Sequence, residues 1–75
     1  MEVPIWCRIF GLDNRATELS LGKTLDNLDI KYIKLLIAKD TSMICAGWSW
    51  IAFKDIKERD IAIEIIKNTT LRLVI

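Results

Sequence analysis

The sequence has no histidine, two cysteines, one proline and three glycines among its 75 residues. Without an imidazole, general acid–base catalysis by histidine is excluded. Cys7 and Cys45 lie far apart, at no metal-like spacing, and no histidine completes a ligand set, so a zinc site is excluded as well. The two thiols read as reduced, small hydrophobes in an intracellular protein, with nothing to separate nucleus from cytoplasm. No glycine-rich phosphate loop, nucleophile elbow or cluster of metal ligands occurs. Asp13, Asp26, Asp29, Asp40 and Asp55 fall at turns and helix ends, where local bonds to the backbone account for them. These residues describe no enzyme, no cofactor and no small-molecule substrate. The N-terminus lacks the basic-then-apolar pattern of a signal peptide, and no apolar run approaches a membrane span. Charge of one sign is scarce too. Eleven Lys and Arg oppose ten Asp and Glu for a net charge of +1, so any basic patch must be local.

What the chain does have is apolar material, 52% of its residues. That favours a packed globule over a disordered chain. Residues 1–75 make one domain, near the size at which a single core becomes marginal. The strand-like start and finish read as a domain excised from a larger protein. So small a body has much surface for its volume, and some apolar residues are expected to remain outside and mark a contact.

Gly47 to Phe53 alternates and is rich in aromatic and β-branched residues, which predicts a strand. One face carries Trp48, Trp50 and Ala52, and the other Ser49, Ile51 and Phe53. Both faces are apolar, so one is core and the other is a second buried surface or an exposed aromatic one. Ile5 to Phe10 predicts a first strand, with Cys7 and Ile9 on one face and Trp6, Arg8 and Phe10 on the other. Thr17 caps a helix with Leu21, Leu25 and Leu28 on one stripe. Gly22 weakens that helix by about 1 kcal/mol relative to Ala. Ile30 to Lys39 predicts a second strand, with Ile33, Leu35 and Ile37 opposite Lys34, Leu36 and Ala38. Asp55 and Glu58 form a capping-box-like pair for a helix reaching Lys67. Its apolar arc spans roughly 200°, wider than a helix on one sheet needs. Leu71 to Ile75 is the last strand. The order strand, helix, strand, strand, helix, strand predicts an α+β fold. It is a ferredoxin-like βαββαβ sandwich, a four-stranded antiparallel sheet with two helices on one face. The other sheet face is open.

In this arrangement the chain resembles the RNA recognition motif family over nearly its whole length. Ala46-Gly47-Trp48-Ser49-Trp50-Ile51-Ala52-Phe53 is similar to that family's octamer except at Ala46, where Lys or Arg is usual. Cys7-Arg8-Ile9-Phe10-Gly11-Leu12 is similar to its hexamer, with Arg8 in place of an aromatic. That substitution is reminiscent of the "quasi" members, whose sheet is not the main RNA surface. The connector between the second and third strands lacks basic residues from Thr41 to Ala46, another departure.

The resemblance implies a core of Cys7, Ile9, Leu35, Ile37, Ile51, Phe53 and Leu73 under Leu21, Leu25, Leu28, Ile56, Ala62 and Ile66. The open face then carries Trp48 and Trp50 at its centre, Trp6 and Arg8 beside them, and Lys34 and Arg72 on the outer strands. Planar rings for bases and cations for phosphates suit single-stranded RNA. The same tryptophans with Leu36 and Val74 also suit a protein partner or self-association. The Ile61 and Ile65 side of the second helix would be a further contact in that case.

Overall fold

The computed structural model describes residues 3–75. The elements are β1 (Ile5–Phe10), α1 (Glu18–Asn27), β2 (Lys34–Lys39), β3 (Cys45–Phe53), α2 (Ile56–Ile66) and β4 (Arg72–Val74). The strands form one sheet in the order β2-β3-β1-β4, and every neighbouring pair is antiparallel. This is the expected βαββαβ sandwich. The two strands most strongly patterned in the sequence, β1 and β3, occupy the centre.

Alternation decides which side of the sheet is core. Cys7 and Ile9 of β1 and Ile51 and Phe53 of β3 are fully buried, and Leu21, Leu25, Ala62 and Ile66 of the helices close over them. Burial pushes the Cys7 thiol above its ordinary range, with the Arg59 charge opposing in part. A thiol so placed packs as a small hydrophobe. Ser49, the one buried polar residue among those described, lies on the same inner side. Its hydroxyl is 2.9 Å from the carbonyl oxygens of both Leu36 and Trp50, so its proton always has an acceptor.

The helix starts are built as the sequence predicts. Thr17 accepts from the Ser20 amide at 3.1 Å while Ser20 Oγ accepts from the Thr17 amide at 3.0 Å, a reciprocal capping box. Asp55 accepts from the Glu58 amide at 2.9 Å. Gly22 also finds its compensation. The Tyr32 hydroxyl lies over it, and a Cβ at this position would come within 2.9 Å of that oxygen.

One core assignment, Ile56, is corrected, Ile33 departs from the inward face it was expected to share with Leu35 and Ile37, and both β2 and β4 are shorter than expected. Ile33 is 56% exposed and Ile56 55% exposed, although both were expected to face inward. The strand expected from Ile30 begins only at Lys34, because the end of α1 takes the residues before it. Asp29 adopts φ 64°, its amide donates to Asp26 O, and the Ile30 amide reaches back to Leu25 O. This is a Schellman ending, and the buried Ile30–Leu25 pair supplies its hydrophobic contact. Ile33 thus precedes the strand, joined to β3 by its amide, which donates to Ala52 O at 2.9 Å. Ile56 is the first residue after the Asp55 cap, and it lies at the margin of the core.

The Schellman ending generates a prediction. A non-glycine residue in the left-handed region is strained, and a carboxylate at a helix C-terminus opposes the dipole. Asp29→Gly removes both, and we expect it to stabilise the domain by about 0.5–1 kcal/mol after glycine's greater unfolded entropy is counted. A thermal melt reads this as a rise of roughly 2–8 °C. An unchanged or lower midpoint contradicts the assignment.

Candidate nucleic-acid interface

The outer side of the sheet is set by the same register. Arg8 pairs with Trp50 on β3 and Val74 on β4, and Phe10 pairs with Trp48 and Arg72. Lys34 lies across from Ala52, which lies across from Trp6, and Leu36 lies across from Trp50. Trp6, Trp48, Trp50, Arg8, Lys34 and Arg72 therefore share one face with Leu36 and Val74. Both sets of sheet residues marked in the sequence come together there.

The rings make one connected tract. Trp48 and Trp50 meet edge-to-face at 5.2 Å between centroids with planes at 72°. Trp6 meets Trp50 at 6.4 Å and 86°. Phe10 stacks on Trp48 at 6.0 Å with planes 24° apart. Phe10 is the member that sequence reasoning left out of the site. The signal was present, because alternation in the first strand puts it on the face of Trp6 and Arg8. Trp6 and Trp50 are the exposed rings, at 41% and 40%, with Leu36 beside them at 43%. Trp48, Phe10 and Arg8 are half-buried, and Ala52 lies fully buried among larger neighbours.

Arg8 is held by the rings it interrupts. Its guanidinium carbon lies 5.8 Å from the Trp50 centroid and 5.9 Å from that of Phe10, within the range of cation–π attraction. Lys34 on β2 and Arg72 on β4 are exposed and occupy opposite margins of the face. The ion pairs among the described residues are Arg15–Asp13, Arg59–Asp60 and Lys67–Glu64, and none engages these three cations. Among the described residues, no acidic side chain occupies the face.

Of the second-helix residues, Ile61 is 44% exposed and Ile65 packs against the core. The wide apolar arc of α2 is thus partly consumed by the sheet. Both belong to the helical layer and do not adjoin the tryptophans. Among the described residues, no group of three or more His, Cys, Asp or Glu could hold a metal ion. No helix there is long and apolar enough to cross a membrane.

Solved structures share this architecture. The RRM of Rna15 superposes with a TM-score of 0.77 at 16% identity, covering 93% of this chain and 86% of that one. The chain has the fold of an RNA recognition motif. The Rna15 RRM with bound RNA (GU) gives 0.72 at 16% identity, over 91% and 78% of the two chains. The Glorund qRRM2 domain gives 0.72 at 17%, over 96% and 88%. No protein-family model and no curated protein matches the sequence. Within the RNA-recognition-motif fold, the octamer-like Ala46–Phe53 runs along β3 and the hexamer-like Cys7–Leu12 begins on β1, so the two segments are adjacent.

One rim of the face is closed by a carboxylate. β2 is an edge strand, and Glu18 Oε2 accepts from its Ile37 amide at 3.0 Å, occupying a backbone donor that an edge otherwise exposes. That bond, Glu18's own backbone amide and the Lys39 charge hold the carboxyl below its usual range, against slight desolvation. The folded pKa is therefore below the unfolded one. Its contribution to stability is complete above about pH 4.3 and is lost as pH falls through the folded value. We expect Glu18→Gln to flatten the loss of melting temperature between about pH 5 and about pH 3. Parallel curves for the two proteins would contradict this role.

Proposed function

We propose that this domain binds single-stranded RNA on the open face of its sheet. The observation that carries the reading is the tract Trp6, Trp50, Trp48 and Phe10. It is partly solvent-exposed, with Arg8 lodged within it and Lys34 and Arg72 at its margins. Exposed Trp50 and Trp6 offer ring faces to bases, and Arg8 offers a guanidinium plane. Lys34 and Arg72 meet the phosphates that run past on either side. The fold likeness to an RRM solved with bound RNA supports the same reading.

The magnitudes are sufficient. Each base stacked on an aromatic contributes about 1–3 kcal/mol, so two or three with phosphate contacts reach roughly micromolar affinity. That a near-neutral chain could do this follows from where its charge lies, since three of its cations share a face with no acid among the described residues. A second reading rests on Leu36, 43% exposed beside Trp50, with Val74 across from Arg8. An apolar protein surface would cover these residues better than a phosphate chain.

Salt separates the two readings. Phosphate contacts release counterions, and neutralising three phosphates of a single strand gives a log–log slope of about −2. Apolar protein contacts weaken little or strengthen with salt. We expect a mixed single-stranded RNA pool to quench the tryptophan fluorescence, with an affinity that falls steeply as salt rises. Trp50→Ala, at an exposed position, should lower that affinity roughly 10-fold while the domain still melts cooperatively. The RNA reading fails if no quenching occurs and the emission instead shifts blue with protein concentration.

A further inference from the structure

Among the described residues, the proposed RNA-binding face offers hydrogen-bond donors and no side-chain acceptor. Its polar groups are the indole N–H of Trp6, Trp48 and Trp50, the guanidinium groups of Arg8 and Arg72, and the Lys34 ammonium. None of these accepts a hydrogen bond. The positions between them carry Phe10, Leu36, Ala52 and Val74, which have no polar side-chain atom. β1 and β3 are the inner strands of the sheet, and β4 pairs with Arg8 to Phe10 of β1. The carboxylates in the turns at its ends each bond local backbone through one oxygen. Asp13 Oδ1 accepts from the Arg15 amide at 2.8 Å, and Asp40 Oδ1 from the Ser42 and Ile44 amides at 2.8 and 3.2 Å. The Ser49 hydroxyl is on the inner side, with no exposure.

Nucleobases divide by the same chemistry. Guanine and uracil carry a carbonyl oxygen where adenine and cytosine carry an amino group. A base covered on this face therefore meets donors. At the edge that carries the distinguishing group, a carbonyl meets a donor and is satisfied, whereas an amino group faces other donors, and an unpaired donor out of water is destabilising. The N2 amino group of guanine lies on the opposite edge. Arg8 is placed to apply the distinction most strongly. Its guanidinium rests against both Trp50 and Phe10, beside any base stacked on either ring. Its fork of donors matches the O6 and N7 acceptors of guanine.

We infer that the face selects keto bases, guanine and uracil, over adenine and cytosine, with Arg8 as the specificity-determining residue. This rests on the RNA reading above. The probes are two fluorescently labelled RNA octamers, one alternating U and G and the other alternating C and A. Both are half purine and carry the same charge, so stacking area and phosphate contacts are matched. Fluorescence anisotropy at one fixed salt concentration should give the U/G octamer an affinity about 10-fold higher or more. Arg8→Gln places an acceptor beside the donor at the same point, and should bring the ratio of the two affinities toward one. Equal affinities for the unsubstituted protein overturn the keto preference and leave RNA binding standing. A ratio unchanged by Arg8→Gln, in a protein that melts normally, overturns the assignment to Arg8. Binding of neither octamer overturns both the preference and the RNA reading beneath it.

Discussion

The register between β1 and β3 is the constraint on which the rest of the molecule depends. It pairs Cys7 with Ile51 and Ile9 with Ser49 on the inner side, and Arg8 with Trp50 and Phe10 with Trp48 on the outer. Because side chains alternate with a period of two, a slip of one residue would exchange those faces. The tryptophans would then press against the helices, and Ile51 and Phe53 would enter solvent. Complete burial of Ile9, Ile51 and Phe53 makes that slip costly, at about 1.5–3 kcal/mol for each large side chain exposed. The inner face thus fixes the outer one. The aromatic tract is held in place by a core it does not belong to.

That coupling explains how a chain with almost no net charge can present a basic face. The acids are not fewer than the bases by much, but they are elsewhere. Asp13 and Asp40 close turns, Asp55 caps α2, and Glu18 binds the amide of an edge strand. Each performs a backbone task that a carboxylate does well, since it accepts and cannot donate. Arg8, Lys34 and Arg72 fall on strand positions that alternation turns outward. Local folding requirements therefore sort the charges without a global excess of one sign.

Much of this was legible in the sequence, and the legible parts share a cause. The central strands follow a strict period of two, and the caps at Thr17 and Asp55 have local signatures, so β1, β3 and both helix starts stand where expected. The errors lie where tertiary contacts override local pattern. Ile33 was placed on the face of Leu35 and Ile37 because an apolar run continued through it, but the αL residue Asp29 redirects the chain and the strand starts only at Lys34. Ile56 was counted as core from the apolar arc of its helix, and its place just after the cap leaves it outside. Ile65, marked as a contact residue on the wide apolar arc, is half-buried against the core, so the sheet uses part of that arc. On the outer face, composition announced three tryptophans but not their mutual geometry. Neither Phe10 stacked on Trp48 nor Arg8 resting on two rings could be read without the cross-strand pairs.

The measurement that bears most directly on the central claim is a two-dimensional amide and indole NMR titration with short single-stranded RNA. Trp6, Trp48 and Trp50 each contribute one indole N–H signal, well separated from the backbone. RNA binding on the open face predicts that the indole signals of Trp50 and Trp6 move most, followed by the backbone amides of Arg8 and Leu36. Amides of Leu21, Leu25, Ala62 and Ile66, in the helical layer, should stay in place. Shifts concentrated in the loops or the helical layer, with the three indoles unmoved, would contradict the account.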